Sequence, residues 1–173
     1  MSSPLERFLE QQARAYGAFR AALTAESDRG CALFAAAYLD RALSDLLYVS
    51  LVDNKKIDDE LLGSNGPLHT FSARIKLAYY LGKLSPAERT DFETVRTIRN
   101  TFAHHPEYVD FEVQSIRDRC SNLRHTWHEA DARPRAKFTD AVAGLLARVH
   151  RETLSAVAPK DKTDDLPSTA DKH

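Results

Sequence analysis

An all-α fold is what this sequence predicts, a single-domain bundle of about six helices, and three observations carry the prediction. Apolar residues recur at three- and four-residue steps along most of the chain, the spacing that gathers them on one side of a helix. Ala, Leu and Arg are frequent, whereas the alternating Val, Thr and Ile of a strand are nearly absent. The 6 glycines and 7 prolines are few for 173 residues, and most stand where a helix should begin or end.

Ser3-Pro4-Leu5-Glu6 reads as a helix start, with Ser3 as cap, Pro4 at the first helical position and Glu6 closing a capping box. Leu5, Phe8, Leu9, Gln12, Tyr16, Phe19 and Leu23 follow with helical period. Asp28 opens the expected central helix, which carries Leu33, Ala36, Ala37, Leu39, Leu43, Leu46, Leu47 and Leu51 and is apolar on more than one face. A short acidic helix is expected over 57–62, stopped by Gly63-Ser64-Asn65-Gly66-Pro67. Pro67 should restart a helix with Leu68, Phe71, Ile75, Ala78 and Tyr79 inward and Gly82 at its C-terminal cap.

Ser85-Pro86-Ala87-Glu88 repeats the Ser-Pro-x-Glu start. Its helix should reach about Ala103, because Pro106 disfavours helical geometry at His105. Val113, Ile116, Cys120, Leu123 and Trp127 define the next helix, and Phe138, Val142, Leu145, Leu146 and Val149 the inner side of the last, from about Pro134 to Ala156. The helical domain is thus expected over 1–158. Residues 159–173, rich in Lys, Asp, Pro, Ser and Thr, read as a disordered tail.

Composition limits the function. With 24 Lys plus Arg against 25 Asp plus Glu, there is no global basic excess to replace counterions on phosphates, so direct DNA binding is not expected. Cys31 and Cys120, 89 positions apart in apolar stripes, read as buried hydrophobes of a reducing compartment. The N-terminus lacks a signal peptide's basic and apolar regions, and no apolar run approaches the roughly 20 residues of a membrane helix. The cytoplasm, with no membrane contact, is therefore the expected location. His125 and His128 lie near Cys120 without a paired Cys-x2-Cys, so neither a metal nor a cofactor is expected.

The segment Arg99-Asn100-Thr101-Phe102-Ala103-His104 carries most of the chemistry. On a wheel with Val95 at zero, Ile98 falls at about -60°, Phe102 at about -20°, Phe92 at about +60° and Arg99 at about +40°. Arg99 therefore lies in the apolar stripe, where it must snorkel, line a polar pocket or pair with a carboxylate such as Asp40 or Asp45. His104, five residues on, would point about 140° away and meets Arg99 only if the helix unwinds. His104 and His105 also suit a helix C-terminus, where cations complement the dipole.

Arg-Asn-x3-His at a helix end resembles the HEPN superfamily, whose active members are metal-independent ribonucleases with an Arg-x4–6-His motif across a dimer interface. That resemblance implies Arg99 holding the scissile phosphate, Asn100 beside it, and His104 acting on the 2'-hydroxyl or leaving group. A longer resemblance, over 29–120, is to the mannitol operon repressor family. It rests on Gly66-Pro67-Leu68, Ser72-x-Arg74-x-Lys76-Leu77 and Leu81-Gly82, and on the Ala-Leu-rich helix ending in Leu46-Leu47. Members have an Arg-x4-His segment where Arg99 and His104 stand, are all-helical, and lack a helix-turn-helix. The family implies a non-enzymatic module in negative control of transcription, acting through a protein partner, with Arg74, Arg99, His104 and His105 as candidate partner- or phosphate-binding residues. The chain departs from it in the N-terminal helix and the C-terminal region, so the mannitol pathway itself is not implied. The apolar girth of the 28–52 helix predicts a homodimer. The alternative is a HEPN-type ribonuclease, toxin-like, with RNA as its substrate.

Overall fold

The computed structural model describes residues 17–51, 54–105, 108–126 and 132–157. Among the described residues the fold is all-α, without strands. A helical segment over 17–25 leads into six helices: α1 Asp28–Ser50, α2 Lys55–Leu62, α3 Phe71–Tyr80, α4 Pro86–His104, α5 Gln114–Ser121 and α6 Pro134–Val157. The expected helix start at Ser3, Trp127, His128 and the expected tail all lie outside the described residues.

The centre is α1. It is capped by the Ser27 side chain, which accepts from the Gly30 amide, and Asp28 in its first turn complements the dipole. It packs most extensively on α6, then on α4 and α3. Cys31, Ala32, Ala35, Ala36, Leu39, Leu43, Leu46 and Leu47 are almost wholly buried along this helix. Its buried surface consists mainly of small residues in the first half and of leucines in the second. Leu33 and Ala37 belong to the second apolar side of this helix and are exposed, because α3, α4 and α6 converge on the face defined by Cys31, Ala35 and Leu39.

The leading segment is fastened by Phe19, whose ring lies 4.8 Å from that of Tyr38, and by buried Leu23. Arg135 at the start of α6 holds its end. One nitrogen pairs with Asp28 at 2.7 Å and the other donates to the carbonyls of Leu23 and Glu26, at 2.8 and 2.6 Å. The second Asp28 oxygen accepts from the Phe111 amide at 3.0 Å. One carboxylate thus ties the start of α1, the start of α6 and the α4–α5 connection.

Helix boundaries follow local chemistry, with two departures from expectation. Pro67 does not restart a helix: Gly66 is so close to the carbonyls of Leu61 and Glu60 that a Cβ there would meet them at 2.3 and 2.5 Å, and the Leu68 amide turns back onto Leu61. The helix begins only at Phe71, capped by Thr70. It ends in a Schellman motif, with Gly82 at φ +69° and the amides of Gly82 and Lys83 on the carbonyls of Tyr79 and Ala78. The Ser85–Glu88 capping box forms as expected.

The second departure is α5, which stops at Ser121 rather than running on through Leu123, and Val113 sits exposed at its cap. Asp91 of α4, with no exposed surface, redirects the chain. Its Oδ2 accepts from the amides of Arg124 and His125 at 3.0 and 2.9 Å and meets His125 Nδ1 at 2.6 Å. Helix continuation would need those two amides for carbonyls of α5, and a buried carboxylate competes for them more strongly. Cys31 and Cys120 are buried and free, as the sequence suggested, and burial pushes their thiols up to about 11 and about 12.

Three expectations follow. Gly82→Ala should cost about 1 kcal/mol in chemical denaturation through its left-handed backbone, and Asp91→Ala about 3 kcal/mol by orphaning its donors. Burial alone would raise the Glu88 carboxyl, but the Ser85 amide and hydroxyl and the Arg148 guanidinium hold it below the usual range. Such a depressed group stabilises the fold above the ordinary glutamate pKa of about 4.3, and the gain is lost as pH falls through the folded value. Glu88→Gln should therefore lower the thermal midpoint at pH 7 and leave a shallower acid limb; an unchanged limb would refute the assignment.

Candidate functional site

The residues singled out from sequence all lie on α3 and α4 or just after α4, but they do not form one cluster. Phe92, Val95, Ile98 and Phe102 are fully buried and orient α4. Arg99, one step aside, is half-buried, and its Nη1 donates to Asn100 Oδ1 at 3.0 Å. It has no carboxylate partner among the described residues. The carboxylates proposed for it are taken: Asp40 pairs with Arg74 at 2.7 Å and Asp45 with Arg41 at 2.9 Å. The sequence placed Arg99 correctly near the core but could not show that Arg74 reaches Asp40 from a helix 34 residues away.

His104 is the last residue of α4 and is exposed. The His105 amide still donates to the Thr101 carbonyl at 3.2 Å, so the helix stays wound through this point. At 100° per residue the directions in which Arg99 and His104 leave the helix differ by about 140°, while Asn100, which Arg99 bonds, lies about 40° from His104. The His105 carbonyl accepts from Arg29 Nη2 at 2.7 Å, which ties the end of α4 to the start of α1. The His105 side chain is exposed.

Arg74 is placed differently. Its side chain is 13% exposed, against 27% for Asp40, and the pair bridges α3 to α1. Its Nε is buried without a hydrogen-bond partner. Among the described residues no group of three or more His, Cys, Asp or Glu could hold a metal ion, and no helix is long and apolar enough to cross a membrane.

Sequence reasoning missed two features. One is the Asp91–His125 contact, invisible because it joins elements 34 residues apart. The other is a groove of about 460 Å³ on the outer side of α4, between Tyr79 of α3 and Arg119 of α5. Its signal was present in Thr90, Thr94, Thr97 and Thr101, a polar stripe at helical spacing.

The family model described as mannitol repressor matches residues 29–154. The match runs on through α6 to residue 154, so the C-terminal region is part of the family's domain and not the departure expected from sequence. No curated protein matches the chain. A chain in the X-ray structure of the MtlR–HPr complex from Escherichia coli superposes with a TM-score of 0.56 at 21% identity, covering 80% of this chain and 95% of that one. At that identity the likeness is one of fold.

The two arginines are paired differently, Arg99 with an amide and Arg74 with a carboxylate. Arg99→Ala removes a bond to a neutral amide and should cost less than about 1 kcal/mol. Arg74→Ala strands Asp40 and should cost about 2–3 kcal/mol. Urea titrations of both variants decide it, and a larger loss for Arg99→Ala would mean that Arg99 has a buried anionic partner.

Proposed function

This chain belongs to the mannitol repressor family, and on that premise we propose that it is a non-enzymatic regulatory module that acts in negative control of transcription through a protein partner. The family match over 29–154 carries the reading. The solved relative is a protein complex, as its description states, which supports HPr as the partner to try first. The balanced charge argues against direct readout of duplex DNA. Leu33, Phe34 and Tyr48 of α1, 37%, 49% and 52% exposed, support the further proposal of a homodimer. The cytoplasm is the compartment in which such a partnership would operate.

A second reading, the metal-independent ribonuclease, draws on one observation: Arg99 has no carboxylate partner among the described residues, so its guanidinium is available to a phosphate. Arg99 leaves the helix about 140° from His104, whereas Asn100, which Arg99 bonds, lies on the side of His104; we propose that such an activity would be composite, one copy supplying the arginine and another the histidine. Arg74, already engaged by Asp40, would serve such a site only as support.

Calorimetric titration with HPr of the same organism is expected to give a micromolar complex, on the order of -8 kcal/mol. Random duplex DNA at physiological salt should give none. Absence of HPr binding together with sub-micromolar, steeply salt-dependent DNA binding would replace this reading by direct repression. RNA cleavage that survives chelation and disappears in His104→Ala would replace it by the ribonuclease.

A further inference from the structure

The groove on the outer side of α4 has a composition that the regulatory reading does not use. Tyr79 forms one wall, Arg119 the other, and Arg89, Thr90, Thr94 and Thr97 line the floor. Its volume, about 460 Å³, is in the range of small-ligand sites.

Two guanidiniums face this space without a carboxylate partner among the described residues, and both are held in place. Arg89 lies over the Tyr79 ring, 4.7 Å from its centroid. Arg119 donates through Nη1 to the Ser115 carbonyl at 2.8 Å, which leaves its other donors unspent. Arg96 does not compete for a groove anion, since its Nε is bound to Glu93 at 2.7 Å. That same bond neutralises the one carboxylate of the lining.

The floor has the complementary chemistry. The hydroxyls of Thr90, Thr94 and Thr97 donate to the carbonyls of Pro86, Thr90 and Glu93, at 2.9 Å or less. With their hydrogens committed, these oxygens offer lone pairs to the groove and act as acceptors. A ligand that satisfies the whole surface carries a compact anion for the arginines and several hydroxyl donors for the threonines. Arginine's planar donor fork matches phosphate oxygens.

We propose that this groove binds a small phosphomonoester bearing hydroxyl groups, a ligand of the sugar-phosphate class. The site is separate from the Arg99–His105 segment and gives the module a small-molecule input beside its protein partner. A free acidic peptide would meet the arginines but supply few hydroxyl donors to the floor.

Calorimetry on the full chain tests this, with glucose 6-phosphate, ribose 5-phosphate and glycerol 3-phosphate as probes and glucose and inorganic phosphate as references. At least one ester should bind about tenfold or more tightly than inorganic phosphate, and glucose should give no heat. Arg89→Gln/Arg119→Gln should weaken the ester about tenfold or more without moving the thermal midpoint. Arg117→Gln/Arg124→Gln, exposed arginines outside the groove lining, should leave it unchanged. Thr94→Val, which keeps the shape and removes the acceptor, should weaken the ester and spare inorganic phosphate. No binding of any ester at about 10 mM, phosphate binding as tight as the esters, or equal loss in the control pair would each overturn the proposal. Ester binding without HPr binding would uphold this inference while sinking the partner reading, so the two fail separately.

Discussion

The need to cover α1 organises this molecule. A 23-residue helix with Cys31, Leu39, Leu43, Leu46 and Leu47 withdrawn from water cannot exist alone, and α3, α4 and α6 are placed by the surface it offers. Because α4 must lay Phe92, Val95, Ile98 and Phe102 against this core, the rest of its circumference has no freedom of orientation. Arg99 is thereby set at the edge of the core, and the threonine stripe is set outward.

Polar contacts then specify what apolar burial leaves open. Asp28 collects Arg135 and the Phe111 amide, Asp91 collects the chain after α5, and Glu88 joins the α4 cap to Arg148, which also bonds Glu152. Each of these carboxylates is partly or fully withdrawn from water, and each has several donors to offset the loss of hydration. Apolar packing alone would tolerate slippage of one helix along another; a buried carboxylate with directed donors does not.

The same pairing separates the arginines by role. Arg74, Arg135 and Arg148 serve the fold, each against a carboxylate on another helix. Arg89, Arg99 and Arg119 have no such partner among the described residues, and the two readings of the molecule's chemistry gather on them. An arginine beside a neutral amide, or stacked on a tyrosine, keeps its charge for a ligand, whereas one locked to a carboxylate does not.

Much of the fold was legible in sequence because its signals are local. The Ser85–Glu88 capping box, the glycine after α3, and the inward series of α4 and α6 each depend on residues within a few positions of one another. The family resemblance was legible for a similar reason, being carried by Gly66-Pro67-Leu68 and the Ser72-to-Leu77 run as they stand in the chain. What only the tertiary structure decided was non-local. It delayed α3 until Phe71, ended α5 at Ser121, and gave Asp40 to Arg74 rather than to Arg99. In each case a group distant in sequence, or a close backbone approach at Gly66, outweighed the local pattern. Periodicity records which side of a helix is apolar, but which partner reaches a given carboxylate depends on how the helices cross.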